Sequence, residues 1–277
     1  MPAPGGPPLR HAVLRGVLGD AGGGTGTGTG RRSFWRSVEV VRTTGSTNTD
    51  LLTRGGPEGQ VLVAEEQTAG RGRMGRTWVS QPGTGLTFSI LLRPAAVPAA
   101  RRAWLPLVAG VAVASAVRAV AGVAATLKWP NDVLAGDRKL AGILAEQSGD
   151  AVVVGVGVNV ATPEDLLPVS PGGPRATSLR AEGADVARDV LLVEVLRQFE
   201  RRYLALRADP DAERAGLLAE YRTLCGTLGR QVRVELPGGS HVTGVATDID
   251  ADGRLLIAEP DTTSVTPVSA GDVIHVR

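Results

Sequence analysis

The sequence predicts a chain of the α+β class: a mixed-sheet domain over residues 34–227, a small all-β domain over 228–277, and a Gly/Pro-rich lead over 1–33. Three observations carry this. Short apolar runs of strand type are followed by two long segments of 3.6-residue periodicity that end near Leu224. From Leu228 onward only short strand-like runs separated by turn residues remain, the pattern of a small β-barrel. The first 33 residues hold 14 Gly and Pro, including GGGTGTGTG at 22–30, and read as a flexible lead with one short helix near Leu9–Leu18. At 277 residues, 43% hydrophobic and 21% charged, the chain can bury a sizeable core.

The elements follow in order. SVEVVRT from Ser37 is a strand, Thr47 to Arg54 a short helix, and QVLVAEE a second strand. A loop of Gly and Arg leads to the strand LTFSILL. The run from Ala103 to Val117 contains Pro106, ends at Arg118 and is shorter than the ~20 residues a membrane span needs, so a buried helix over 102–121 is expected. TLKWP, KLAGILAEQ and AVVVGVGVNV supply three more strands. Beyond a Pro-rich loop at 162–174, helices are expected over 186–207 and 211–224.

Composition excludes several functions. One cysteine, Cys225, rules out a disulfide framework and a cysteine zinc site, and it reads as a structural thiol in a reducing compartment. The three histidines, His11, His241 and His275, are too scattered for a His-rich metal centre, so no metal ligand set is predicted. Thirty Lys and Arg against 28 Asp and Glu leave a net charge of only +2, which is no nucleic-acid composition. Arg10, His11 and Arg15 interrupt the apolar stretch near the N-terminus, so no secretory signal is read and a cytoplasmic location is expected.

Lys and Asn are scarce: the only lysines are Lys128 and Lys139, the only asparagines Asn48, Asn131 and Asn159. In a chain that otherwise uses Arg, they point to positions where chemistry requires them. AEEQTAGRGRMGRTW (64–78) satisfies G-x-G-x-x-G at Gly70, Gly72 and Gly75. The dinucleotide reading fails, because a strand follows the loop and no acid occurs between Gln67 and Asn131 to bind a ribose. That interval instead carries seven arginines and Lys128. Arg71, Arg73 and Arg76 alternate with the glycines, and guanidinium forks beside close-approaching backbone suit phosphate or carboxylate oxygens. LKWPNDVLAGDRKLAGILAE (127–146) holds both lysines around Asn131 and Asp132. A lysine is a compact charge able to follow a phosphoryl group, and Asp132 could help hold a metal-bound triphosphate or orient a neighbour; the bland alternative is a strand–turn–strand with exposed lysines. In TTGSTNTDLL, Ser46 or Thr47 fits an ordinary helix cap beside Asn48. In VGVGVNV, Asn159 ends an apolar strand, where a side-chain amide can read an adenine edge.

Two motifs are decoys. GGGTGTGTG lacks the G-K-[ST] of a P-loop. DIDADGRLLIAE (248–259) matches the EF-hand loop, yet its flanks alternate like strands, so a β-hairpin with Gly253 at its turn is expected.

Taken together, GSTN at 45–48, EEQTAGRGRMGRTW at 65–78, KWPND at 128–132, KLAGIL at 139–144 and GVGVNV at 155–160 resemble the biotin–protein ligase family in order and spacing, over about residues 36 to 225. The resemblance is to the single-function type. It implies a mixed-sheet catalytic domain like that of class II synthetases and biotin–lipoate ligases, with a C-terminal SH3-like domain. A 33-residue lead cannot hold a winged helix-turn-helix of about 60 residues, so no DNA partner is expected, and no membrane.

The resemblance further implies an ATP-dependent enzyme that forms biotinyl-5′-AMP. It then transfers biotin to a lysine of the biotin carboxyl carrier domain of an acyl-CoA or pyruvate carboxylase, with Mg²⁺ accompanying ATP. It leaves the chain free to act alone or as a homodimer. By the same resemblance Ser46, Thr47, Asn48 and Gln67 hold the ureido ring, and Gly70 and Gly142 complete the biotin pocket. The backbone of Arg71 and Gly72 and the Arg73 side chain close over biotin and the adenylate. Lys139 holds the biotin carboxylate and α-phosphate, Lys128 and Arg76 meet the departing phosphates, Trp78 covers the adenylate, and Asn159 binds adenine. Lys139, Lys128 and Arg73 are the catalytic set; Asn131 and Asp132 belong to the site without separable roles. Two rivals stand beside this: a lipoate or octanoate ligase of the same superfamily, whose signature lacks GRGRxGRxW, and a non-catalytic binder of biotin, nucleotide or nucleic acid.

Overall fold

The computed structural model describes residues 9–10, 33–168, 173–208, 212–260 and 264–276. Seven strands form one sheet in the order β1-β2-β3-β7-β6-β5-β4: β1 (Ser37–Thr44), β2 (Gln60–Gln67), β3 (Gly85–Leu92), β4 (Ala125–Lys128), β5 (Asp132–Ala135), β6 (Arg138–Ser148) and β7 (Ala151–Asn159). Only β1 and β2 pair in parallel; the other pairings are antiparallel. Strand β3 is buried at all eight positions, so Thr87 and Ser89, which alternate with Leu86, Phe88 and Ile90, face the interior of the domain rather than solvent. The sheet is mixed, as expected.

Helix α1 (Thr47–Arg54) packs Leu51 against Leu62, Leu91 and Val153 in a small second core. Helix α2 (Trp104–Ala121), with α3 (Arg188–Ala208) and α4 (Ala212–Leu224), covers the main core. The stretch Ala99–Ala121 is long and apolar enough to cross a bilayer, but most of α2 is buried in this core, which explains its apolar character on all sides. Of the lead, Leu9 is buried, its N–H donating to Glu65 Oε1 at 3.1 Å, and Arg10 pairs with Asp189 at 2.5 Å. Leu9 and Arg10 are not helical, and the remainder of the segment expected as a helix near Leu9–Leu18 lies outside the described residues.

One strand departs from the sequence reading. TLKWP does not run on as a strand: β4 stops at Lys128, and Asp132 opens a further strand, β5. Pro130 cannot donate to a ladder, so the chain turns there and returns antiparallel.

The C-terminal domain is a five-stranded antiparallel sheet of order β11-β10-β9-β8-β12, with β8 (Gln231–Glu235), β9 (His241–Ile249), β10 (Leu255–Ala258), β11 (Val265–Val268) and β12 (Asp272–His275). The EF-hand-like segment is the β9–β10 hairpin. Gly253 sits at its turn with φ 82°, and Asp250 Oδ1 accepts the N–H groups of Asp252 and Arg254. That turn docks on the large domain: Trp104 Nε1 donates to Ala251 O at 2.9 Å and Trp129 Nε1 to Gly253 O at 3.0 Å. Two indoles thus fix the small domain where its β11–β12 turn reaches the Gly/Arg loop.

Candidate active site

A cavity of about 350 Å³ opens where β2 and β7 end and β3 and β6 begin. Helix α1 enters at Ser46, whose side chain makes no capping bond. Gln67 performs that task instead. Its Oε1 accepts the Thr47 N–H at 2.8 Å and the Thr47 hydroxyl at 3.0 Å, so a β2 residue takes up a helix-end donor. The plain cap reading of Ser46 is therefore replaced by a shared polar floor.

Asn48 is 4% exposed and fully engaged: its amide donates to Leu144 O at 3.1 Å and Glu146 Oε2 at 2.8 Å, while Ser89 Oγ lies 2.6 Å from its Oδ1. The glycines of VGVGVNV make the room. A Cβ on Gly155 would meet Asn48 Oδ1 at 2.2 Å, and one on Gly157 would meet the Trp78 indole at 2.2 Å. Gly157 pairs with Gly142 across β6–β7, so the indole lies on a floor of bare backbone.

The opposite wall is charged. Lys139 Nζ lies 2.7 Å from Asp132 Oδ1. Arg73 donates to Asn131 Oδ1 at 2.9 Å and to Gly271 O of the C-terminal domain at 3.2 Å. Arg76 pairs with Asp272 at 2.9 Å. Asn131 is itself pinned, its Nδ2 donating to Ile143 O and its backbone O accepting the Ile143 N–H. The structure thus separates two residues the sequence could not: Asn131 holds Arg73, and Asp132 holds Lys139.

Lys128 lies buried beneath this wall. Burial pushes its ammonium below the usual lysine range and the positive charges of Lys139 and Arg76 push further, against Asp132 and Asp272. Burial likewise lowers Arg73, with Asp272 and Asp132 opposing. Four cations face two carboxylates. The site is short of negative charge, which suits a polyanionic ligand.

Ser46, Thr47, Asn48, Gln67, Arg71, Gly72, Arg73, Arg76, Trp78, Asn131, Asp132, Lys139, Gly142 and Asn159 all line the cavity. Lys128 and Gly70 do not. Gly70 forms the loop's neck, where a Cβ would meet Trp78 O at 2.3 Å. Asn159 is buried, with Nδ2 donating to Thr177 O at 2.9 Å. The sequence reading missed Ser89, Gly155, Gly157, Ala176, Glu146 and Asp272. Of these, Ser89 left a legible signal as one of two polar residues, with Thr87, inside an apolar strand, whereas Asp272 is recruited from the far end of the chain. Cys225 is buried, bridging Leu127 behind the wall without lining the cavity, and burial raises its thiol above the usual range, in keeping with a structural role.

Fold and site together define a ligase of small carboxylic acids onto proteins: residues 38–160 match the biotin/lipoate A/B protein ligase family and 227–276 the biotin protein ligase C-terminal domain. The chain belongs to the biotin/lipoate A/B protein ligase family. It is 44% identical to the biotin–[acetyl-CoA-carboxylase] ligase of Mycobacterium tuberculosis, over 98% of this chain and 97% of that one. The ligase of the same name from Paracoccus denitrificans is 34% identical over 83% of this chain and 98% of its own. Among solved structures, the Aquifex aeolicus biotin protein ligase in complex with biotin and ATP superposes with a TM-score of 0.74 at 30% identity, covering 86% of this chain and 98% of that one.

Proposed function

We propose that this chain activates biotin as biotinyl-5′-AMP and transfers it to a lysine of a biotin carboxyl carrier domain. Residues 34–227 form the catalytic unit and 228–277 its SH3-like partner domain. In the first step a biotin carboxylate oxygen attacks the α-phosphorus of ATP, the bond to the β-phosphate oxygen breaks, and pyrophosphate leaves. In the second, the carrier's neutral lysine amine attacks the acyl carbon, the bond to AMP breaks, an amide forms, and the amine releases its proton.

The observation that carries this is the convergence of the Lys139–Asp132 pair, Arg73 and Arg76 on one cavity beside the Thr47–Asn48–Gln67 floor. Carboxylate attack on a polyphosphate brings like charges together, so fixed positive charge and positioning do the work and no nucleophilic side chain is needed. Lys139 exchanges Asp132 for the biotin carboxylate and α-phosphate. Arg73, held by Asn131, covers the adenylate, and Arg76 and the buried Lys128 draw the departing pyrophosphate. The polar floor of Ser46, Thr47, Asn48 and Gln67 binds the ureido ring, and Asn159 faces adenine. Trp78 and the loop shield the anhydride from water.

When bound with ATP, Mg²⁺ would neutralise part of the triphosphate charge. Asp132 and Asp272 are the carboxylates on the wall that would hold it. The relatives' name makes the acetyl-CoA carboxylase carrier the first acceptor, and other acyl-CoA or pyruvate carboxylases follow by the same carrier chemistry. The single, buried Cys225 supports a reducing, cytoplasmic location.

Thermal unfolding with each acid tests the substrate class. A ligand at a hundred times its Kd adds about 2.7 kcal/mol, so biotin should raise Tm and lipoate and octanoate should not. A rise with lipoate alone would move the chain to the lipoyl branch of the family.

A further inference from the structure

Each arginine of the loop has its own anchor: Arg71 on Glu146, Arg73 on Asn131 and Gly271, and Arg76 on Asp272. The Arg71 anchor differs from the others, because the same carboxylate also holds the pocket floor. Glu146 Oε1 lies 3.0 Å from Arg71 Nη1, and Oε2 accepts the Asn48 amide at 2.8 Å. An amide has two hydrogens, and Asn48 spends them on Leu144 O and Glu146, so its Oδ1 is turned toward Ser89.

We infer that Glu146 is a positioning residue that couples Asn48 on the pocket floor to closure of the Gly/Arg loop, and so sets how long the activated acid is retained. The inference rests on the adenylating function proposed above. Arg71 is 56% exposed and Glu146 19%, so water screens the pair and it adds little to global stability. A small bias is enough for a loop, however: the fraction of time it is closed over the adenylate scales how long that ligand is retained. The carboxylate has two arms with separable tasks. One orients Asn48, and the other holds the loop over whatever Asn48 touches.

Glu146→Gln keeps an oxygen for the Asn48 amide and loses the ionic arm to Arg71. In the full chain, given biotin and MgATP without carrier, it should release biotinyl-AMP about threefold to fivefold faster than wild type, with the Kd for biotin moved less than about twofold. Glu146→Ala loses both arms and should weaken biotin binding several-fold as well. Arg71→Ala should match Glu146→Gln, and the double variant should release no faster than either single one, the signature of one shared interaction. A surface staple without coupling would leave release rates unmoved. Wild-type release in Glu146→Gln, or additive effects in the double variant, would overturn the inference. Absence of any adenylate with the wild-type chain would instead overturn the functional reading beneath it, and the coupling with it.

Discussion

At the scale of single residues the site depends on a few atoms that have no substitute. The proposed mechanism sets Lys139 on the reacting side of the cavity, and in the structure Asp132 holds it at 2.7 Å. Lys139→Ala should lower biotin-dependent adenylate formation about 10²–10³-fold, the scale of removing one preorganised charge, while circular dichroism stays native. Adenylation at the wild-type rate would remove Lys139 from the mechanism. Gly155 is equally exacting: Gly155→Ala would drive a methyl to 2.2 Å from Asn48 Oδ1, costing roughly 1–3 kcal/mol of overpacking and weakening biotin binding, which calorimetry would read. The residue types were legible in the sequence because Lys and Asn are so scarce in it. The glycines of VGVGVNV were not, since Gly–Val alternation reads equally as core strand, and only packing shows that Asn48 and Trp78 occupy the missing side chains' space.

At the scale of elements, the loop over residues 70–78 is held by both domains. Arg76 meets Asp272 on β12, and Arg73 reaches Gly271 beside it. Asp272→Asn should therefore raise KM for MgATP about threefold to fivefold while leaving the Kd for biotin near its wild-type value, because the proposed mechanism gives the phosphates to Arg76, the partner of Asp272. An equal effect on both ligands would mean that the C-terminal domain supports the whole pocket. Strands and helices of regular period were readable, including α3 and α4 to within two residues. The split of KWPND into two strands was not, because β4 and β5 are each only four residues long. The docking of the β9–β10 turn through Trp104 and Trp129 was also hidden, since no local pattern marks a contact more than a hundred residues away.

At the scale of the whole molecule, the two domains meet through a cationic seam. His275 on β12 lies 3.3 Å from Thr227 Oγ1 and 3.4 Å from Arg230 Nη1. Burial, with Lys128 and Arg230 adding to it and Asp137 opposing, lowers its imidazole to about 4 from an ordinary value of 6.5. Between those values the unfolded chain binds a proton that the folded chain does not, so stability falls as pH drops from about 6.5 to about 4. His275→Gln should flatten that part of the Tm–pH profile, and an unchanged profile would place the acid sensitivity elsewhere. The two-domain order was legible from the change of periodicity near Leu228, but the sharing of one cavity by both domains was not. On the proposed mechanism this cavity joins biotin to AMP using the chain's own charges, the ATP it binds and the Mg²⁺ that accompanies ATP. Pyrophosphate exchange into ATP, run with biotin, lipoate and octanoate in parallel and no protein acceptor, tests it most directly. Exchange that depends on biotin alone is the result this account predicts; no exchange with any of the three acids, in folded protein supplied with Mg²⁺, would contradict it.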